Sequence, residues 1–350
     1  MLGKSTRILD GKVNFPLCLA PMVGLSHVCL RMILREYLPD GAFTIWPTEM
    51  LNSRRIPHEV LGATPETMKA ADEEGLVPQL LGNDEEAINK SIRALELWGA
   101  IGIDINMGCP VAKALRHNYG VSLMGDVAYA AEVVRFAKKA SSLPVSVKLR
   151  AGLQGDPIYL RDFTQALQDA GASWITLHPR TAEQKRRGSA DWSQIKTVRG
   201  NLKIPVIGNG DIQTSEDVFQ MLNETDCDAV MAGRALAARP WMLWQLGEDL
   251  GFPAPKGKSG QAPRSPAEEG QEYGRMLLRW LELAETHFLD EAGILRRFRF
   301  FVRTTAVWLP FGQSVVSIST KEKSVATIKD QLKIFFSQEI EMSSRTELRQ

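Results

Sequence analysis

Cysteine is scarce in this chain of 350 residues: Cys18, Cys29, Cys109 and Cys227 are the whole complement. None forms a CxxC pair, so neither a zinc site nor a disulfide framework is expected, and no metal partner is expected. Charge of one sign is equally lacking, with 42 Lys and Arg against 41 Asp and Glu and a net charge of +1. That balance does not announce a nucleic-acid binder, and any basic surface must be local. No apolar run approaches the roughly 20 residues of a membrane span, so no membrane partner is expected. The stretch MLGKSTRILDGKVNFP at 1–16 lacks the apolar core of a signal peptide. The expected compartment is the cytoplasm, where free thiols persist.

What is present is a regular alternation. Eight short apolar runs occur at Leu17–Pro21, Phe43–Thr48, Val77–Leu81, Ile103–Asn106, Val145–Leu149, Trp174–His178, Val206–Asn209 and Ala229–Gly233. Between them lie amphipathic segments such as EEAINKSIRALELWGA and LRDFTQALQDAGA, with apolar residues at helical spacing. Strand–helix alternation predicts a parallel sheet, and eight units over about 235 residues fit a (β/α)8 TIM barrel. An open doubly wound sheet is the alternative, weakened because no GxGxxG follows the first strand. The segment FPAPKGKSGQAPRSPAE then breaks the pattern. The expected organisation is a catalytic barrel over 1–250, a linker at 251–265, a small helical-bundle domain at 266–340 and a loose tail at 341–350.

Active sites of such barrels form at the C-terminal ends of the strands. Those ends read Ala20-Pro21-Met22, Thr48-Glu49-Met50, Gln79, Asn106 with Cys109, Lys148 with Arg150, His178 with Arg180, Asn209-Gly210-Asp211 and Gly233-Arg234. Cys18 and Cys227 sit inside apolar runs and read as small core residues, whereas Cys109 lies past a strand end in the segment INMGCP. IGNGDI and MAGRAL each place a glycine turn before a helix, a backbone arrangement suited to phosphate, with Arg234 as an added charge. Plain turn chemistry at Gly210 and Gly233 is the competing reading. Lys148 follows Val145-Ser146-Val147 on a strand expected to be buried. It reads as a rim lysine, a Schiff-base lysine or a cation set against an anionic cofactor ring.

In combination, LAPMVGL at 19–25, INMGCP at 105–110, VSVKLRAG at 145–152, LHPRT at 177–181, IPVIGNGDI at 204–212 and MAGRAL at 231–236 resemble the tRNA-dihydrouridine synthases. The likeness covers nearly all of 15–245, and the helical segment resembles that family's C-terminal tRNA-binding domain more weakly. TEML at 48–51, AKALRHNYG at 112–120 and GRALAARPW at 233–241 point to the bacterial B-type branch. Pro179, Tyr119, Val121 and Ser122 depart from the family pattern and bear on the loop after Cys109.

The resemblance implies an FMN-dependent oxidoreductase that reduces the C5–C6 bond of a D-loop uridine in tRNA, with NADPH as reductant. Carried over by motif, Pro21 and Met22 would line the flavin and Gln79 would hydrogen-bond its polar edge. Lys148 would face the charge of the reduced ring, and His178 would contact it. Asn209, Gly210, Asp211, Gly233 and Arg234 would hold the ribityl chain and phosphate. Cys109 would protonate C5, since free thiols titrate near ~8.5 and are mostly protonated at neutral pH. Asn106 would hold the uracil edge and Arg150 would stabilise developing oxygen charge. The target base must be splayed out of the RNA. Local basic runs, Gln184-Lys185-Arg186-Arg187 and Arg296-Arg297-Phe298-Arg299 with Arg303, are candidate phosphate contacts, the second interleaved with Phe300 and Phe301. Two alternatives are an FMN barrel acting on a free dihydropyrimidine- or dihydroorotate-like molecule and a non-catalytic RNA-binding relative. The helical segment argues against the first. Cys109, Lys148 and the phosphate loops argue against the second.

Overall fold

The computed structural model describes residues 6–347 except 154 and 186, with the side chains of 112 and 113 also left aside. Arg186 of the first basic run and residues 348–350 of the expected tail lie outside the described residues.

Eight parallel strands form one sheet: β1 (Leu17–Leu19), β2 (Trp46–Asn52), β3 (Leu76–Leu81), β4 (Ile103–Met107), β5 (Val145–Arg150), β6 (Trp174–His178), β7 (Val206–Asn209) and β8 (Ala229–Ala232). Their order, β1-β8-β7-β6-β5-β4-β3-β2, winds the sheet into a barrel whose one unladdered seam among the described residues lies between β1 and β2. Thr44 Oγ1 bridges that seam by donating to Leu17 O at 2.9 Å, and the N–H groups of Asn14 and Phe15 reach Phe43 O. The doubly wound alternative is excluded by this order.

Side-chain alternation explains the layers. Leu17, Leu19, Leu76, Leu80, Ile103, Ile105, Val145, Val147, Leu149, Ile175 and Leu177 pack outward in the main core. Cys18, Val77, Trp174, Ile207, Ala229 and Met231 form a second cluster inside the barrel. The outer ring comprises α1 (Val28–Glu36), α2 (Glu85–Trp98), α3 (Ala112–Arg116), α4 (Val127–Ala140), α5 (Pro157–Asp169), α6 (Trp192–Asn201), α7 (Ser215–Thr225), α8 (Arg234–Ala238) and α9 (Met242–Leu250). Caps fix where they start: Asp84, Asp126 and Asp156 each accept a first-turn N–H, and Thr214 with Asp217 makes a capping box. Between β2 and β3 the expected helix is replaced by a short 3-10 turn at Ile56–His58. Pro57, Pro65, Gly62 and Gly75 break helical continuity there.

Strand β2 also differs from expectation. It begins later, at Trp46, and runs through Glu49 and Met50, with a register shift between Pro47 and Met50. Pro47 brings no N–H to the ladder, and the irregularity leaves the Gln79 N–H to the Thr48 hydroxyl at 3.2 Å.

The C-terminal helices are α10 (Pro266–His287), α11 (Glu291–Thr305), α12 (Gly312–Lys321) and α13 (Val325–Phe335). They form the helical bundle that the sequence predicts over 266–340. α12, GQSVVSISTK, is rich in Ser and β-branched residues of low helix propensity and is held by burial of Val315 and Ser319. Trp280, Phe298 and Phe301 are fully buried between these helices, each stabilising by roughly 1.5–3 kcal/mol. The bundle docks on the barrel through Arg279 Nη2 to Glu36 Oε1 at 2.8 Å and through Glu269, which accepts from Arg239 at 2.5 Å, Gln245 at 2.8 Å and Trp241 at 3.1 Å. Residues 251–265 lie against the barrel, with the Phe252 ring edge-on to Phe15 at 5.7 Å and Ala262 N donating to Glu248 Oε1 at 2.7 Å. Residues 342–345 are packed where a loose tail was expected. Met342 is buried, Ser343 N donates to Trp308 O at 2.8 Å, and Arg345 Nη2 pairs with Asp217 Oδ1 at 2.5 Å.

Candidate active site

Strand register builds the site. On β5, Val145, Val147 and Leu149 belong to the outer core, so Ser146, Lys148 and Arg150 turn to the barrel interior. Register pairs Gln79 with Asp104, Asp104 with Ser146, and Asn106 with Lys148. Five polar residues of β3, β4 and β5 therefore stand side by side beneath the mouth.

Four of them form a continuous hydrogen-bonded chain. Ser146 Oγ donates to Asp104 Oδ1 at 2.6 Å, and Gln79 Nε2 donates to Asp104 Oδ2 at 2.7 Å. Asn106 Nδ2 donates to Gln79 Oε1 at 2.7 Å. Asn106 Oδ1 accepts from Gly108 N at 3.1 Å and Cys109 N at 2.9 Å. All four side chains are buried, while Cys109 is half-exposed. The loop then closes on itself: Val121 N donates to Cys109 O at 3.2 Å. Gly120, at φ +57°, passes so near that a Cβ there would fall 2.5 Å from Cys109 O. Tyr119 packs buried beside Leu81 and Ala114 in the cluster that includes Cys109. Thus Tyr119, a departure from the family pattern, packs in the cluster with Cys109, and Val121, another, holds the Cys109 carbonyl through its N–H.

Lys148 makes no hydrogen bond among the described residues. Burial, then the Arg150 charge, push its ammonium down to about 8, against the pull of Asp104, Cys18 and Cys109. Burial raises the Asp104 carboxyl above the usual carboxylate range, opposed by the hydrogen bonds from Ser146 and Gln79 and by Lys148. Arg150 is tied to the loops: Nε donates to Gly108 O at 2.9 Å and Nη1 to Lys185 O at 2.7 Å.

His178 lies across the mouth. Burial, then the charges of Lys148, Arg150, Arg180 and Arg234, drive its imidazole down to about 2, so it is neutral. Arg180 Nη1 approaches His178 Nε2 at 3.2 Å. A guanidinium only donates, so Nε2 carries the lone pair and Nδ1 the proton. Arg180 also pairs with Asp211 Oδ1 at 2.7 Å, and Asp211 Oδ2 accepts from Ala190 N at 2.6 Å. Asn209 Nδ2 donates to Met231 O at 2.8 Å, joining β7 to β8. Gly210 has φ +123°, and a Cβ there would lie 3.0 Å from His178 Cδ2. A Cβ at Gly233 would lie 3.2 Å from Met22 Sδ, and Pro21 lines the barrel interior with Asp104 and Ser146. Arg234 lines a cavity of about 870 Å³ together with Arg303, Val307 and Gln313 of the C-terminal helices and Glu347.

Gln79, Asn106, Cys109, Lys148 and Arg150 are thus brought together by register and by the loop after β4, and His178 stands with Gly210 and the Arg180–Asp211 pair, while Arg234 lines the cavity shared with the C-terminal helices. The second basic run is divided. Arg299 donates to Ser319 O at 2.9 Å and Arg297 lies 5.2 Å over the Phe288 ring, while Phe298 and Phe301 are core. Arg303 faces the cavity and Phe300 is exposed, its ring so near the β1–α1 loop that a Cβ at Gly24 would fall 2.9 Å from it. Sequence reasoning passed over Asp104 and Ser146. The available signal was a carboxylate two residues before Asn106, on the same face of a strand. It also left Glu49 without a role. Glu49 is buried and accepts from Gly24 N at 2.7 Å, and burial pushes its carboxyl up to about 7.

The sequence model of dihydrouridine synthase (Dus) matches residues 18–259. A probable tRNA-dihydrouridine synthase 1 of Synechocystis sp. is 35% identical over 228 residues, 65% of this chain and 63% of the relative, so the chain spans less than two thirds of that protein. A probable tRNA-dihydrouridine synthase of Rhizobium leguminosarum bv. phaseoli is 33% identical over 64% of this chain and 69% of the relative. A tRNA-dihydrouridine synthase B of Xanthomonas axonopodis pv. citri is 31% identical over 66% of this chain and 69% of the relative. Among solved structures, histamine dehydrogenase from Rhizobium sp. 4-9 superposes with a TM-score of 0.52 at 14% identity, over 68% of this chain and 46% of that one. That likeness bears on the barrel fold alone.

Proposed function

The chain belongs to the dihydrouridine synthase family, and from that premise we propose that it reduces a D-loop uridine of tRNA in the cytoplasm, using FMN and NADPH. The observation that carries this reading is the charge of the mouth. Lys148, Arg150, Arg180 and Arg234 all act on His178, while Asp211 is spent on Arg180 and Asp104 on Ser146 and Gln79. Such a donor set suits an anionic, aromatic cofactor. When bound, FMN supplies the hydride that saturates C6 of the base.

The chain's own residues do the rest. Gly210, Gly233, Asn209 and Arg234 hold the phosphate and ribityl chain, and Asp211 acts by fixing Arg180. Pro21, Met22 and Gln79 border the ring, and neutral His178 offers it an Nδ1–H. Lys148 supplies the cation for the negative charge of the reduced ring. Cys109 donates its proton to C5, and Lys148, which senses Cys109 electrostatically, favours the thiolate left behind. Asn106 and Arg150 keep the loop that carries Cys109 against the mouth and contact the base from there. Arg303, with exposed Phe300 beside the β1–α1 loop, offers the RNA a cation and a stacking ring at the edge of the cavity.

Full-length protein supplied with FMN, NADPH and unmodified tRNA transcripts is expected to retain flavin and to form dihydrouridine at one D-loop position, read by nuclease digestion and mass spectrometry. Protein that stays colourless after FMN addition contradicts the cofactor. Turnover of free dihydropyrimidines with none on tRNA contradicts the substrate.

A further inference from the structure

The hydrogen-bonded chain beneath the mouth has a direction. Each primary amide donates through nitrogen and accepts through oxygen. The N–H groups of Gly108 and Cys109 can only donate, so Asn106 must turn its oxygen to them and its NH2 to Gln79. Gln79 must then present Oε1 to Asn106 and Nε2 to residue 104. The sequence of orientations is consistent only where residue 104 accepts, and Asp104 accepts from Gln79 on one oxygen and from Ser146 on the other. An amide left without such an anchor in a buried site can rotate and turn like group to like.

We propose that Asp104 is a positioning residue: it locks the orientation of Gln79 and, through it, of Asn106, so that the 107–110 loop holds the Cys109 thiol in the mouth. The proposal rests on the reading of Cys109 as proton donor, but its test needs no turnover. Asp104 also faces Lys148, so a simple counter-charge role has to be separated from an orienting one. The two roles part at Asp104→Asn. An asparagine there can show its oxygen to Gln79 and donate its NH2 to Ser146 Oγ, which preserves the direction of the chain while removing the charge.

The readout is alkylation of Cys109 by iodoacetamide in the full-length protein, followed by peptide mass spectrometry. Cys109 is half-exposed and Cys18, Cys29 and Cys227 are buried, so Cys109 reacts first. In Asn106→Asp, carboxylates flank Gln79 on both sides and one of them faces its oxygen. Loss of this buried bond is expected to speed labelling about tenfold. Asp104→Asn alone is expected to stay within about twofold of the parent, as the Ser146 hydroxyl can accept in place of donating. The double variant Asp104→Asn with Asn106→Asp reverses the link through Gln79: the carboxylate introduced at position 106 accepts from Gln79 Nε2, and Gln79 Oε1 accepts from the amide introduced at position 104. It is expected to return to within about twofold. If Asn106→Asp does not fold, Gln79→Leu cuts the chain at its centre and is expected to give the same rise. An unchanged rate in the single variants that break the chain, or a double variant as fast as Asn106→Asp, overturns the proposal. Labelling as expected in a protein that forms no dihydrouridine leaves the positioning role standing and removes the proton-donor reading. Dihydrouridine formation without restoration in the double variant removes the positioning role alone.

Discussion

At Lys148 the barrel places a charged side chain between Ser146 and Arg150 on the inner face of a strand whose outer face is Val145, Val147 and Leu149. Burial and Arg150 hold its ammonium at about 8. The consequence for an anionic ligand follows from linkage: the charged form binds, so bound anion raises the titration and affinity falls as pH rises through 8. FMN affinity of the flavin-free protein, read by quenching of flavin fluorescence, is expected to drop about tenfold between pH 7 and pH 9, where about nine-tenths of the ammonium is neutral. Lys148→Met is expected to bind more weakly at pH 7 and to lose this dependence. The pattern Val-Ser-Val-Lys made Lys148 legible from the sequence. Asp104 was not legible in the same way, because a lone carboxylate in Ile-Asp-Ile-Asn carries no meaning until sheet register sets it beside Gln79 and Ser146.

Among elements, the contact of α1 with the C-terminal half of α10 carries a pH dependence. His27, at the N-cap of α1, is fully buried, and its ring meets Trp280 and Phe288 edge-on at centroid distances of 5.6 and 5.2 Å. Neither ring nitrogen has a hydrogen-bond partner. Burial first, then Arg31, Arg297 and His287, push the imidazole down to about 3. Its titration is thus depressed in the fold, and the stability it contributes is present above about 6.5 and lost as pH falls from there toward 3. Between pH 8 and pH 5 this amounts to about 2 kcal/mol. His27→Leu is expected to shrink the difference in urea-unfolding free energy between those two pH values by about that amount, and an unchanged difference contradicts it. Strand ends were readable element by element, since apolar runs of fixed length ended in polar groups. The start of β2 was not, because its ladder shift depends on Pro47 and on the Thr48 hydroxyl taking over the Gln79 N–H. α12 was not readable either, as tertiary burial overrides its local propensity.

At the scale of the whole molecule, the barrel supplies the cationic mouth and the C-terminal helices roof one side of it, with Arg303 and Arg234 lining the same cavity. The chain end ties the two together through Ser343 on Trp308 and Arg345 on Asp217. The alternation of runs and helical segments disclosed the barrel, and IGNGDI and MAGRAL marked where β7 and β8 end. The packing of residues 342–346 was hidden because the segment is polar and held by specific partners distant in sequence. The central claim, that Cys109 protonates the base after reduction of the flavin, is tested most directly by Cys109→Ala with both half-reactions measured on one preparation. The account predicts that the variant binds FMN and oxidises NADPH at close to the parent rate while dihydrouridine formation on tRNA falls by about 10²–10⁴-fold. Dihydrouridine formation at the parent rate in that variant would contradict it.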